Sequence, residues 1–389
     1  MKKIMIIGAG ASGVYLSILL KQKLNDQLDV IVLEQNASPL KKLLATGNGR
    51  CNLSNTNMSI QYYQSNHQDY VDSIISSFDM EKAMDHLGIL CIKQDTLIYP
   101  RTLQASTIKN VFMEQAEKLG VVFLYNQEVV SIDVSKNYII KTNQQTFHSD
   151  YVVFAMGSEA GKLSGISLSR YDLLTQLKLP VIKSTPSLVQ MCTKPVLKEL
   201  KGVRVKGTFS LLENQKVIHV EKGELLFTDY GISGIAVMQL SSFVESGHDY
   251  QVMIDLFDDM DEKKLYEYVE KRMSKDYNHF YDGMLNTKLA SYFEKQKFKD
   301  VSQIVHHLKH MTLQITQLKS YETAQVMKGG LSLLAVKDTL ELKKYPCIYA
   351  IGEILNVSGM CGGYNLHFAL SSAYRVACDI EGKYYVKNQ

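Results

Sequence analysis

An α/β architecture, extended by an antiparallel β region and a helical insertion, is predicted by three features of the sequence. A βαβ pattern with a glycine-rich turn occupies residues 4–34. A second apolar strand, glycine loop and helical run recur together near the C-terminus, over residues 347–379. After Gly157 the character changes: short alternating strands appear, and from Asp258 to about Leu318 a Gly-poor segment rich in Lys, Glu and His shows helical spacing.

The first feature is the most specific. Ile4 to Ile7 is wholly apolar, as suits a strand buried on both faces. Gly8-Ala9-Gly10-Ala11-Ser12-Gly13 then reads G-x-G-x-x-G, Val14 to Leu24 has few helix breakers, and Val30-Ile31-Val32-Leu33 is a second apolar strand ending at Glu34. In such a unit the first glycine permits a tight turn, the second lets backbone approach a pyrophosphate, and the third lets helix pack on strand. The helix N-terminus faces the phosphates with free N–H groups. Glu34 stands where an acid accepts hydrogen bonds from the adenosine ribose, and its charge disfavours a 2′-phosphate. The pattern predicts a dinucleotide site without distinguishing NAD from FAD. Gly157-Ser158-Glu159-Ala160-Gly161-Lys162-Leu163 is not a second phosphate loop: its spacing is short, and Leu163 replaces the magnesium-binding Ser/Thr.

Composition narrows the class. The chain has 389 residues, 46% hydrophobic and 21% charged, with 24 Gly and 6 Pro. At roughly 100–200 residues per domain this predicts two or three domains with ordinary cores. Lys and Arg total 43 against 40 Asp and Glu, a formal net charge of +3, which gives no reason to expect a nucleic-acid or membrane partner. The six Cys (51, 91, 192, 347, 361 and 378) include no C-x-x-C pair, so no zinc, Fe–S or redox-dithiol site is expected. Isolated cysteines read as reduced thiols in a cytoplasmic protein. The apolar run after Met1-Lys2-Lys3 is too short for a signal peptide, and no stretch of about 18 apolar residues predicts a membrane span. His306, His307 and His310 resemble metal-ligand spacing, but H-E-x-x-H is absent and a polar helix is the expectation.

Three further segments bear on which dinucleotide is bound. Lys41-Lys42-Leu43-Leu44-Ala45-Thr46-Gly47-Asn48-Gly49-Arg50-Cys51-Asn52 is a Gly-rich polar loop soon after the ribose-binding strand, able to wrap a pyrophosphate, or else a surface turn. Tyr151 to Gly157 is a buried strand closing in small residues. It follows an antiparallel pair, Glu128 to Val134 and Tyr138 to Thr142, with a turn near Ser135-Lys136-Asn137. Cys347 to Ile351 reads as a strand. Gly352-Glu353 follows it, and then Gly362-Gly363-Tyr364-Asn365 leads into a helix over 366–379. A helix N-terminus there would favour the negative charge of a reduced flavin.

The runs T-G-N-G-R-C-N at 46–52, L-F-T-D-Y-G-I-S-G at 226–234 and G-E-I-L-N-V-S-G-M-C-G-G-Y-N at 352–365 occur in this order. In them the chain resembles, over essentially its whole length, the three-domain bacterial flavoproteins that include streptococcal aminoacetone oxidase. That family also includes NAD(P)/FAD-dependent oxidoreductases, some linked to bile-acid reduction. The resemblance implies a Rossmann-like FAD-binding domain at 1–186 and 330–389, a β-rich substrate domain at 187–257 and 319–329, and a helical domain at 258–318. It implies non-covalent FAD held by Gly8, Gly10, Ala11, Ser12, Gly13 and Glu34 at the adenosine diphosphate. A second loop of Lys42, Thr46, Gly47, Asn48, Gly49, Arg50, Cys51 and Asn52 would add to it, with Val129, Ala155 and Gly157. Gly352, Glu353, Gly363, Tyr364 and Asn365 would hold the flavin end. Asn48, Tyr230, Asn356 and Met360-Cys361 depart from the family's usual residues.

The expected activity is oxidation of a small primary amine such as aminoacetone, with oxygen reoxidising FAD to yield hydrogen peroxide. Tyr230 and Tyr364 are the candidate catalytic positioning residues, with packing as their alternative role. The competing expectations are an NAD(P)H-dependent reductase of an unsaturated small molecule and a flavin-holding protein that acts through its helices. The chain carries no second glycine fingerprint for NAD(P)H. A homodimer is a further possibility.

Overall fold

The computed structural model describes residues 1–135, 137–161, 170–275 and 277–386. They form two compact units, residues 1–185 with 326–389, and residues 186–325. Lys136, in the expected hairpin turn, and Lys162 and Leu163, in the rejected phosphate loop, lie outside the described residues.

The first unit is built on five strands: Lys2–Ile7 (β1), Leu28–Leu33 (β2), Val122–Leu124 (β3), Tyr151–Phe154 (β4) and Ile348–Ala350 (β5). Their order is β5-β4-β1-β2-β3, all parallel. Ile4 pairs with Val30 on one side and with Tyr151 on the other. The uninterrupted apolar runs are explained by burial on both faces. Ile4, Met5, Ile6, Val152, Val153 and Phe154 have no exposed surface. Three helices cover the sheet: Ala11–Leu24 (α1), Ala105–Lys118 (α2) and Tyr364–Val386 (α3). α1 packs against both others, and Tyr15 of α1 stacks on Phe112 of α2 at 5.7 Å. An antiparallel sheet of Thr146–Ser149, Tyr138–Thr142 and Val129–Asp133 leads into β4. The chain leaves this unit through strand Val181–Ser187 and returns through Val326–Leu331, and these two strands pair with each other.

The second unit contains a closed six-stranded barrel. Its order is Met191–Lys194, Gly231–Ser233, Lys216–Phe227, Arg204–Glu213, Tyr250–Asp255 and Met311–Leu318, closing back on the first. All its pairs are antiparallel. Lys216–Phe227 is one long strand of 12 residues. A larger correction concerns Met311–Leu318, expected inside the helical segment. It is a barrel strand, because Met311, Leu313 and Ile315 alternate inward with period two.

The helical segment also lacks a core of its own. Helices Glu262–Met273, Thr287–Lys295 and Val301–Lys309 are capped by Asp261, Asn286 and Asp300, each accepting from the backbone N–H three residues on. Their apolar faces, with Leu265, Val269, Phe293, Ile304 and Leu308, join one cluster with Phe209, Leu211, Val252 and Ile254 of the barrel. The expected domain at 258–318 is therefore a layer on the barrel. Among the described residues, no helix is long and apolar enough to cross a membrane.

Truncating Phe293 to Ala should cost about 3–5 kcal/mol. Because the core is shared, hydrogen exchange should accelerate in strands Tyr250–Asp255 and Met311–Leu318 as well as in the helices. Protection loss confined to the helices would contradict a shared core. In the first unit, Glu341 is buried and accepts from Lys337, Lys383 and the Cys347 N–H at 2.6, 2.9 and 2.7 Å. Burial opposes its ionisation, but these bonds prevail and hold its carboxyl at about 2, below the ordinary 4.5. Its stabilising contribution should be complete above pH 4.5 and disappear as pH falls through about 2. An acid-unfolding titration of Glu341→Gln should lose that part of the dependence.

Candidate functional site

The site starts where β1 turns into α1. Gly8 has φ +110°, and a Cβ there would lie 2.6 Å from the Ala155 carbonyl oxygen. At Gly13 a Cβ would come within 2.1 Å of the Gly8 carbonyl oxygen and 3.2 Å of the Ala155 Cβ. These two glycines are required by the protein's own packing. Gly10 is different. A Cβ on it would meet only the Ala155 oxygen, at 3.9 Å. Its side lies open, a cradle that a side chain would fill and a ligand can approach. Gly10 also caps α1, with no side-chain cap and no acid in the first turn. Ala11, Ser12 and Gly13 thus stand at a helix end whose leading N–H groups suit an anion.

Glu34, at the end of β2, is buried. Its Oε2 accepts from the Ala9 N–H at 2.8 Å, and its Oε1 accepts from the Asn36 N–H and Nδ2 at 2.8 and 2.6 Å. The acid thus locks the turn while keeping lone pairs for ribose hydroxyls. The Gln127 N–H donates to the Glu34 carbonyl, which brings the strand beginning at Val129 beside this end.

The second loop is a left-handed turn. Gly47, Asn48 and Gly49 all have positive φ, at +57°, +54° and +81°. Asn is the non-glycine residue most at home there, which suits Asn48 to this position. Thr46 donates to the Leu43 carbonyl at 2.6 Å, and Arg50 is exposed. The Cys51 thiol is fully buried, and burial pushes its pKa up to about 11, so it stays protonated.

The C-terminal motif meets this loop. A Cβ on Gly363 would lie 2.5 Å from the Ser54 carbonyl oxygen. Asn52, with its amide oriented to satisfy both ends, donates to the Ser54 and Ile98 carbonyls and accepts from the Gly363 N–H at 3.1 Å. Asn365 shapes the same loop, exchanging two hydrogen bonds with Gly359 at 2.8 and 2.7 Å. Tyr364 is buried, stacked on Tyr62 at 4.7 Å, with its hydroxyl donating to the Asn57 carbonyl. Burial and the Tyr62 ring push its phenol up to about 12. Gly352 has φ +69°, its N–H donates to Ser372, and a Cβ on it would lie 2.8 Å from the Ser12 hydroxyl. Glu353 Oε2 accepts from Lys42 at 2.7 Å. Of the residues expected here, the structure gathers the fingerprint, both glycine loops, Val129, Ala155 and Gly157 (φ +68°) within the first unit. Tyr230 lies in the second unit, half-buried, with the Lys319 Nζ 4.7 Å above its ring.

Sequence reasoning missed several residues. His367 is buried and bridges the Ser54 hydroxyl, at 2.8 Å, and the Ile75 carbonyl, at 3.1 Å. Burial lowers its pKa and keeps the ring neutral, and its bond to Ser54 ties α3 to the strand after the second loop. Asn55 donates to the Gly362 carbonyl. Arg170 lies beside Gly157. Nothing in the local sequence marks these three. Near the barrel, His306 stacks on His310 at 4.9 Å, and among the described residues no cluster of His, Cys, Asp or Glu has metal-binding geometry. The residues gathered in the first unit fit the ribose and diphosphate of a dinucleotide: an open glycine cradle, an uncapped helix end and a buried acid.

Comparison with known proteins agrees with this fit. Residues 2–379 match the family described as HI0933-like protein Rossmann domain. The chain is 30% identical to the 3-dehydro-bile acid delta(4,6)-reductase of Clostridium scindens, over 96% of this chain and 98% of that protein. It is 28% identical to the ribosomal RNA dihydrouridine synthase of Escherichia coli, over 96% and 97%. A flavocytochrome c3 fumarate reductase in an open conformation shares the fold, with TM-score 0.51 and 12% identity over 98% of this chain and 78% of that one.

The glycines separate two effects. Gly13→Ala should cost about 1–3 kcal/mol through overpacking. Gly10→Ala should melt like the unsubstituted protein yet bind a dinucleotide at least tenfold more weakly. Equal losses of melting temperature in both variants would refute the cradle.

Proposed function

The chain belongs to the HI0933-like family of FAD-binding Rossmann proteins, an oxidoreductase family, and we propose that it is an FAD-dependent reductase of an activated carbon–carbon double bond. The observation that carries this reading is likeness along nearly the whole chain to two curated proteins with reductive names. One is a delta(4,6)-reductase. The product of the other, dihydrouridine, is uridine with two hydrogens added.

Bound FAD would supply a hydride. The α1 N-terminus and Gly10 would hold the diphosphate, Glu34 would orient the adenosine ribose, and Glu353, steadied by Lys42, would contribute at the flavin end. Asn365, Asn52 and His367 fix the glycine loop where α3 begins. Double-bond reduction also needs a proton at the second carbon. Tyr364, held in the first unit by its stack on Tyr62, is our candidate to deliver it.

Oxidation of a small primary amine, with oxygen as acceptor, is the second reading. One observation favours it: the second unit is an antiparallel barrel with helices and offers no second βαβ nucleotide fold among its described residues. Electrons would then come from the substrate itself.

The test is the flavin spectrum of the purified protein under anaerobic conditions. NADPH or NADH should bleach it, and an α,β-unsaturated ketone should restore the oxidised spectrum. Tyr364→Phe should slow that restoration at least tenfold and leave the bleaching step unchanged. Bleaching by aminoacetone alone, reversed by air, would replace the reductase with the amine oxidase.

A further inference from the structure

Two buried polar atoms close to the glycine fingerprint have no hydrogen-bond partner among the described residues: Arg170 Nε and Glu353 Oε1. Their place in the fold is defined by Gly157. It lies two residues beyond Ala155, the residue on which Gly8 and Gly13 pack. A Cβ on Gly157 would lie 3.4 Å from Arg170 Nη1 and 3.9 Å from Glu353 Oε2. Arg170 therefore reaches the carboxyl ends of β1 and β4, the edge at which open α/β sheets bind their ligands.

The guanidinium is anchored but not saturated. Nη1 donates to the Ser158 carbonyl, while the buried Nε–H is unspent. A buried donor left without an acceptor is costly, so such groups in native proteins normally have a use. Charge counting points the same way. The carboxylates that act on Arg170 are Glu353, Glu34 and Glu159, and the Lys paired with one of them, Lys42, is committed to Glu353. Without Arg170 these groups sum to −2, and a diphosphate would bring further negative charge into a partly buried space. Arg170 offsets one of those charges, and the positive end of α1 adds to the attraction. Arginine suits the task, because its planar fork matches phosphate oxygens and it stays charged when buried.

We propose that Arg170 is a further cofactor-binding residue whose guanidinium donates to the diphosphate of the dinucleotide, opposite the α1 N-terminus. The proposal rests on the FAD reading above. The alternative is a purely structural Arg170 that tethers the segment after β4 through the Ser158 carbonyl.

The experiment uses full-length holoprotein and reads FAD release by fluorescence on dilution. It is repeated with ADP or adenosine as competitor, for the unsubstituted protein, Arg170→Gln and Arg170→Lys. Loss of one charge-assisted bond should raise the FAD dissociation constant about 10- to 100-fold in Arg170→Gln. The ADP inhibition constant should rise by the same factor and that of adenosine should not change. Arg170→Lys should fall between, because it keeps the charge and loses the fork. If Arg170→Gln does not fold, as judged by its melting curve, Arg170→Lys carries the test with the same ADP-against-adenosine contrast. Unchanged FAD affinity, or equal weakening of ADP and adenosine, would overturn the proposal in favour of the tether. If the unsubstituted protein binds neither FAD nor ADP, the FAD reading fails first and Arg170's role falls with it.

Discussion

The first unit depends on one backbone contact, the seating of Gly13 beneath the Gly8 carbonyl and against Ala155. That approach fixes α1 relative to β1 and β4 at once. With α1 fixed, its uncapped end points over the carboxyl edge of the sheet. Glu34 can then reach back to the Ala9 N–H and clamp the turn from the neighbouring strand. Gly352 must also be a glycine, because its backbone runs against Ser12 on the same helix. A single extra carbon at Gly13 would disturb helix, sheet and acid together. Close packing leaves such a site no cheap way to relax.

A second constraint joins distant parts of the chain. Gly363 lies against the Ser54 backbone, and Asn52, Asn55 and His367 tie the two glycine loops through hydrogen bonds spanning about 310 residues of sequence. Most of these groups are buried, so the bonds cannot be exchanged for water without cost. They also explain why polar residues crowd this part of the interior. Here the backbone is irregular, and side-chain amides hold it in place of a strand or helix ladder.

Much of this was legible in the sequence because it is written in spacing. G-x-G-x-x-G between an apolar strand and a helix, with Glu34 at the end of the next strand, encodes backbone geometry directly. The antiparallel pair before β4 and the glycine-led final helix were legible for the same reason. What escaped notice depends on tertiary placement. Met311, Leu313 and Ile315 alternate, but three apolar residues among polar ones next to a helix are too short a signal to override the helical reading. The helical layer reads as a separate domain in the sequence because sequence shows which face of a helix is apolar and not what that face meets. Arg170 in S-R-Y and His367 in L-H-F look like any surface residues, since burial and hydrogen-bond partners come from elements far along the chain. The positive φ of Asn48 likewise comes from the folded turn and not from any local signal.

The paired strands Val181–Ser187 and Val326–Leu331 carry an implication for how such a protein can change. The 140 residues between Thr185 and Val326 form a compact unit of their own, and they leave and rejoin the first unit at adjacent points. An insertion with neighbouring ends can be lengthened, exchanged or rebuilt without moving a strand of its host. The chain is therefore modular in an evolutionary sense. The first unit is constrained by glycine contacts that leave no room for an added carbon at Gly8, Gly13, Gly352 and Gly363, and the inserted unit can vary without touching them.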